Sequence, residues 1–246
     1  MSQVASQMRS PRMGHRPVIP PVVNASPVRL PEALLERFRD AYLPDLSDAV
    51  GHLYTMSPVI RPLYSPSPRL LGQALTVKAP PGDNLTVHGA LTMVQPGDVL
   101  VIDWRGYVEG CATGASSLAV PIKNGLRGAV VDGAWRDVGE LRALGFPLFA
   151  RCVAAFSPPK DRPGEINVPV SCGGVVVHPG DIVVGDEEGV VVVPRAWAER
   201  VADSLTAYRR PNSVDDFDLE KLRRGFEEKR VRFREIVEDY GGSVPA

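Results

Sequence analysis

The sequence predicts an α/β fold, a mixed sheet with helical cover and with further helices at the C-terminal end. Three observations carry this. Between residues 73 and 150 short apolar runs alternate with segments of helical character, the rhythm of a largely parallel sheet. Between 168 and 194 the helices drop out, and valine-rich runs follow one another across short Gly, Asp and Pro turns, as in an antiparallel or barrel-like layer. Two helical patterns then end the chain.

Residues 1–28 are rich in Pro, Ser and Arg and lack periodicity. They read as a flexible arm, or as one that orders on a neighbouring subunit. PEALLERFRDAYL (31–43) predicts a helix with Pro31 near its first turn, and PDLSDAVGHL (44–53) a second, short one. The Pro-rich stretch 57–69 is barred from a sheet interior. QALTVKA (73–79) predicts a strand, and DNLTVHGALTMV (83–94) a helix with Asp83 or Asn84 as N-cap. DVLVID (98–103) is a strand of buried type, and residues 112–125 a helix of small residues made imperfect by Pro121. GAVVD (128–132), DVGELRALG (137–145) and PLFA (147–150) continue as strand, helix and strand. Further strands are expected at 168–177, 181–186 and 189–194, and helices at 196–208 and 218–240. The last helix is so charged that it is expected to pack along one stripe, on its own domain or on a neighbouring subunit. The organisation predicted is an arm (1–28), an α/β domain (29–195) and a C-terminal helical extension (196–246).

Composition narrows the function classes. The 246 residues are 44% hydrophobic and carry a formal net charge of -1, so no global basic field draws nucleic acid or anionic membrane. Cys111, Cys152 and Cys172 form no CxxC pair, which argues against structural zinc and a disulfide framework. They read as small buried thiols of a reducing compartment. No apolar run approaches the roughly 18 residues of a membrane span, and the N-terminus lacks a signal-peptide core. The expectation is a cytoplasmic protein with neither nucleic-acid nor membrane partners.

Three segments carry candidate chemistry. In GAVVDGAWRDVGE the strand ends near Asp132, Gly133 allows a sharp turn, and Arg136 and Asp137 open the next helix. Ligands of parallel sheets bind beyond the carboxyl ends of the strands. There an Arg clamps a carboxylate, and an Asp holds a hard divalent cation. The run Asp137 to Glu140 equally fits a helix capping box. In APPGDNLTVHGAL, Asn84 and His88 lie four apart on one helix face; the Asn84 amide suits a substrate oxygen, or else Asp83 or Asn84 caps the helix and His88 is a core histidine. In residues 113–117, Gly114 precedes Ala115, Ser116 and Ser117, whose amides form an anion nest or merely a glycine turn. The GxSxG, GxGxxG and Walker patterns are absent, which leaves a hydrolase triad and nucleotide binding without a motif.

Taken together, the segments resemble the RraA-like family, which includes metal-dependent aldolases for 4-hydroxy-4-methyl-2-oxoglutarate and 4-carboxy-4-hydroxy-2-oxoadipate. The run is Gly72-x-Ala-x-Thr-Val, PPGDN with His88 four residues after Asn84, QPGDVLVID, and Gly114–Ala115 followed by a twenty-residue spacer and Arg136–Asp137-x2-Glu140. Similarity extends through 146–151 and, more loosely, through GDEEGVVVVP. The resemblance implies a ββα swivelling sandwich, homotrimers or dimers of trimers, and cleavage of a 2-oxo-4-hydroxy acid or oxaloacetate to pyruvate with Mg2+ or Mn2+. By position it makes Asp137 the metal ligand and Arg136 the residue that holds the oxoacid and its enolate. It makes Asn84 a substrate contact, and the amides of Gly114, Ala115, Ser116 and Ser117 the carboxylate cradle. The pattern departs at Ala115, where the family carries an acid–base carboxylate. Such help is worth about 10²–10⁴-fold. Glu109 is the nearest acidic residue in sequence to take its place, Asp103 ends the preceding strand, and a neighbouring subunit's carboxylate near Glu227 or Glu228 is a further option. The alternatives are a non-catalytic RraA-like binding protein that acts on a ribonuclease or helicase, and a diverged lyase on an unusual acid.

Overall fold

Four adjacent parallel strands form the centre of the computed structural model, which describes residues 18–205 and 214–244. The helices are α1 (Glu32–Glu36), α2 (Leu43–Ala49), α3 (Leu85–Leu91), α4 (Ala115–Lys123), α5 (Val138–Ala143), α6 (Ala198–Ser204) and α7 (Leu219–Asp239). The strands are β1 (Arg61–Pro62), β2 (Leu70–Lys78), β3 (Asp98–Cys111), β4 (Gly128–Trp135), β5 (Leu148–Val153), β6 (Glu165–Ile166), β7 (Val170–Cys172), β8 (Val175–Val177), β9 (Ile182–Asp186) and β10 (Gly189–Val193). The main sheet runs β1-β5-β4-β3-β2-β9-β10, with β6 also beside β2. β2 to β5 are parallel, and β1, β6, β9 and β10 add antiparallel pairings. The mixed α/β architecture expected from the sequence is the one observed.

Both faces of the sheet are covered, which explains why its central strands are apolar without alternation. On one face α3, α4 and α5 pack over Leu75, Val77, Leu100, Ile102, Val131 and Trp135. On the other, the β7–β8 hairpin packs Val170, Cys172, Val175 and Val177 against Val99, Val101, Val130 and Phe149. Asp103 and Asp132 stand opposite each other where β3 and β4 end their regular pairing. Both are committed to this hairpin: Asp103 Oδ2 accepts from Ser171 N at 3.2 Å and Asp132 Oδ2 from Gly173 N at 3.2 Å, while Arg151 pairs with Asp132. A third cluster joins α1, α2 and α6 to β9 and β10. The compact unit that holds these cores therefore runs to Thr206, past the boundary expected at 195.

Several boundaries differ from expectation for local reasons. The helix expected over 31–43 stops at Glu36, and Pro44 starts α2 from its first turn, the one helical place where its missing N–H costs nothing. The Pro-rich stretch supplies β1, which sits at the sheet edge where proline is tolerated. Of the arm expected to be flexible, residues 22–24 are tied down: Ile166 N donates to Val22 O at 2.9 Å and Asn24 N to Ile166 O at 3.1 Å. Asn24 and Asn167 also exchange side-chain-to-backbone bonds at 3.0 and 3.1 Å. Residues 1–17 and 206–213 lie outside the described residues. The second unit, Ala207–Ala246, contains α7, a 21-residue helix that buries none of its residues. No described helix is long and apolar enough to cross a membrane. Cys111, Cys152 and Cys172 are all free thiols.

Candidate functional site

The site is made by a detour in β3. Beyond Asp103 its register slips twice against β4, so that Tyr107 faces Gly133 and Cys111 faces Ala134. Arg105 and Gly106, at φ +54° and +73°, turn the chain out, and Ala112 N returns to Ala134 O at 2.8 Å. The stretch expected to be a plain connection is thus strand and bulge, and it delivers Thr113 and Gly114 beside Arg136 and Asp137. At Gly114 a Cβ would overlap Asp137 Oδ2 and lie 2.9 Å from Arg136 Nε. The backbone there is extended (φ -134°, ψ 178°), so glycine is required for space and not for conformation.

Asp137 overturns the capping-box reading. It holds the N-cap position of α5, but at φ 56° and ψ 37°, and its side chain makes no cap bond. A cap residue normally lies in the β region, from which its oxygen reaches the next amides. The left-handed backbone turns the Asp137 side chain across the site, where Oδ2 accepts from Ala115 N at 2.9 Å. That conformation costs an ordinary L-residue about 1–2 kcal/mol, and such strain concentrates at functional sites. Arg136 Nε lies 3.8 Å from Asp137 Oδ2 and is buried without a hydrogen-bond partner.

Asn84 also departs from the capping alternative. It occupies the N-cap position of α3 without a cap bond, while Asp83 Oδ1 accepts from Leu85 N at 3.0 Å. Asn84 Nδ2 donates to Ala112 O at 3.1 Å, next in the chain to Thr113. Its Oδ1 is left buried and unpartnered, as is Thr113 Oγ1. Buried polar atoms are rarely left unpaired, so Asn84 Oδ1, Thr113 Oγ1 and Arg136 Nε mark places for ligand or water atoms. Of the α4 amides, that of Ala115 is engaged by Asp137 and not open to a ligand, a correction to the expected cradle. Ser116 N and Ser117 N, in the first turn of α4, have no intrahelical acceptor.

His88 is half-buried on α3, and its ring makes no hydrogen bond among the described residues, unlike a satisfied core histidine. Its pKa is held below the ordinary imidazole value by burial first, then by the charges of Lys160 and Arg136. Burial pushes the Cys111 thiol up, and Arg136, Asp137 and Lys160 also act on it. These groups therefore share one electrostatic space. Lys160 was not anticipated: it lies in an irregular segment with no motif around it. Glu109 is exposed and makes no hydrogen bond or ion pair with the site among the described residues.

Among the described residues no three His, Cys, Asp or Glu side chains cluster as metal ligands. Asp137 offers one carboxylate, with Oδ2 already held by an amide. That donor set fits a hard cation that keeps most of its shell as water or substrate oxygens, the habit of Mg2+ and acceptable to Mn2+. It does not fit zinc, which takes three or four protein ligands.

The family model for RraA-like proteins, described as Aldolase/RraA, matches residues 43–192. The chain belongs to the RraA-like family. It is 40% identical over 167 residues to a Halalkalibacterium halodurans protein named "Putative 4-hydroxy-4-methyl-2-oxoglutarate aldolase", covering 68% of this chain and 79% of that one. A Deinococcus radiodurans protein of the same name is 34% identical over 149 residues, covering 61% and 92%. Streptomyces coelicolor RraAS2, described as an unusual member of the RNase ES inhibitor RraA protein family, superposes with a TM-score of 0.65 at 29% identity, covering 72% of this chain and 91% of its own. The mixed α/β fold of this RraA-like chain is thus that of RraA proteins.

Proposed function

We propose that this RraA-like chain is a carbon–carbon lyase of the aldolase or oxaloacetate-decarboxylase type. It cleaves a 2-oxo-4-hydroxy di- or tricarboxylic acid, or oxaloacetate, to pyruvate. The observation that carries the reading is the set of three buried, unpartnered polar atoms, on Asn84, Thr113 and Arg136, in the segments that meet at Ala112 to Gly114 and Asp137. Breaking the substrate's C3–C4 bond leaves negative charge on the 2-oxo oxygen. Arg136 Nε donates to that oxygen, and a preorganised donor of this kind is worth about 10²–10³-fold in rate. Ser116 N and Ser117 N receive the adjacent carboxylate. The free atom of Asn84 is an acceptor, which suits a water ordered beside the substrate. His88, kept neutral, takes the proton of the substrate's 4-hydroxyl in place of the carboxylate that Ala115 lacks, and returns it to C3 of the enolate to give pyruvate. Mg2+ or Mn2+ held through Asp137 supplies Lewis-acid neutralisation of the developing charge. The assembly that goes with this reading is a homotrimer or a dimer of trimers.

The test is pyruvate release from 4-hydroxy-4-methyl-2-oxoglutarate and from oxaloacetate, with and without Mg2+. Arg136→Ala is expected to lower kcat by about 10²–10³-fold, and Asp137→Ala to abolish the metal-dependent rate. Metal-independent turnover, or full activity in Asp137→Ala, would sink the mechanism.

A second reading, a non-catalytic binding protein, is favoured by Ala115 at the acid–base position together with the exposed, uninvolved Glu109. It predicts no turnover on a panel of oxoacids with either metal, and a stoichiometric complex with a ribonuclease or helicase.

A further inference from the structure

The segment from Ala154 to Gly164 forms no helix or strand, yet it is fastened along its length. Cys111 N donates to Phe156 O at 2.8 Å and Asn84 N to Pro159 O at 3.1 Å. Asp161 N and Arg162 N both donate to Asp83 Oδ2, at 2.9 and 3.0 Å, and Gly164 N donates to Thr86 Oγ1 at 2.6 Å. The Asp83 side chain is only 1% exposed, with Arg162 Nε 3.9 Å away. A buried carboxylate without such partners is costly, so its three amide bonds, counting that from Leu85, are strong constraints. They pin the turn on both sides of Lys160: Pro159 to the backbone of Asn84, and Asp161 to Asp83. Lys160 itself is exposed, and its ammonium makes no hydrogen bond or ion pair among the described residues.

We propose that Lys160 is a specificity-determining residue, whose ammonium meets a carboxylate at the far end of the substrate, and that Asp83 is the positioning residue that holds it there. The inference rests on the oxoacid reading above and adds the recognition of a second anionic group. Its basis is that the turn bearing Lys160 is bonded to Asn84, whose unpartnered Oδ1 belongs to the site. The same segment is bonded through Phe156 O to Cys111 N, and the charges of Lys160 and Arg136 both act on His88 and Cys111. Arg136 serves the reacting end, and an unpaired ammonium at the rim is left for an anion further along the same molecule. Binding energy from such a remote group orients the reacting end.

Two 2-oxoacids that lack the 4-hydroxyl, and so are not cleaved, separate the ends. 2-Oxobutyrate has no far carboxylate; 2-oxoglutarate has one. Calorimetric titration of the full chain in Mg2+ is expected to show tighter binding of 2-oxoglutarate. Lys160→Gln should weaken 2-oxoglutarate by about tenfold and change 2-oxobutyrate less than about twofold. Lys160→Arg should keep the preference. Asp83→Asn should lower the ratio of the two affinities, a readout that general loosening of the fold does not move. Equal weakening of both acids in Lys160→Gln, or no change in either, overturns the assignment while leaving the oxoacid site standing. Binding of neither acid by the unaltered protein overturns the oxoacid reading and this inference with it.

Discussion

At the scale of single residues, Gly114 decides the site by what it lacks. Its Cα faces Asp137 and Arg136 so closely that one methyl group would displace both side chains. The backbone angles suit alanine, and the obstructing atoms are side chains and not backbone. Gly114→Ala should therefore cost stability only at the low end of the roughly 1–3 kcal/mol typical of overpacking. Misplacing a reacting group by about 1 Å costs about 10²-fold in rate. The expected outcome is a folded variant with kcat/KM down by about that factor, checked by melting temperature and pyruvate release side by side. His88 carries a second residue-scale prediction. Its pKa in the folded chain is depressed, so as pH falls through about 6.5 the unfolded chain takes up the proton first. Its effect on stability is nil at higher pH, and stability is lost progressively below that value. Between pH 7.5 and 5.5 the melting temperature of the unaltered protein should fall further than that of His88→Gln. Equal falls would mean that His88 is not desolvated as the structure has it.

At the scale of elements, the sequence carried the parallel core well and the connections poorly, for a physical reason. β2, β3, β4 and β5 announce themselves because burial on both faces demands unbroken apolar runs. The detour after Asp103 has no such demand on it. Its register is set by long-range contacts such as Ala112 to Ala134, and its turn by left-handed Arg105 beside Gly106. Local pattern saw there only a linker. The same limit hid the role of Asp83: a carboxylate before a helix reads as a cap, and that it also binds Asp161 N and Arg162 N is a contact across nearly eighty residues. Arg136, Asp137, Asn84 and Gly114 were legible because their spacing repeats a family pattern. Lys160 was not, since nothing but folding brings it near them. The αL backbone of Asp137 was likewise hidden, because Asp137 to Glu140 also spells a capping box.

At the scale of the whole chain, the three clusters of buried apolar residues and every group assigned to the site lie within the first unit, Met1–Thr206. The second unit holds α7, whose Leu219, Leu222, Phe226, Phe233 and Ile236 repeat at helical spacing and all remain exposed. A helix that buries nothing adds little hydrophobic stabilisation, since that term scales with apolar area removed from water. Ending the chain after Thr206 should then leave the folding of the first unit nearly unchanged. For a domain of this size 1 kcal/mol corresponds to about 2–4 °C, so the melting temperature of the shortened chain should stay within about that range of the full chain. Calorimetry checks this, and binding of 2-oxobutyrate in Mg2+ reports in the same sample whether the Arg136–Asp137 site survives. Loss of the cooperative transition would show that α7 is part of the folding unit. A retained transition with lost binding would overturn the assignment of the whole site to the first unit.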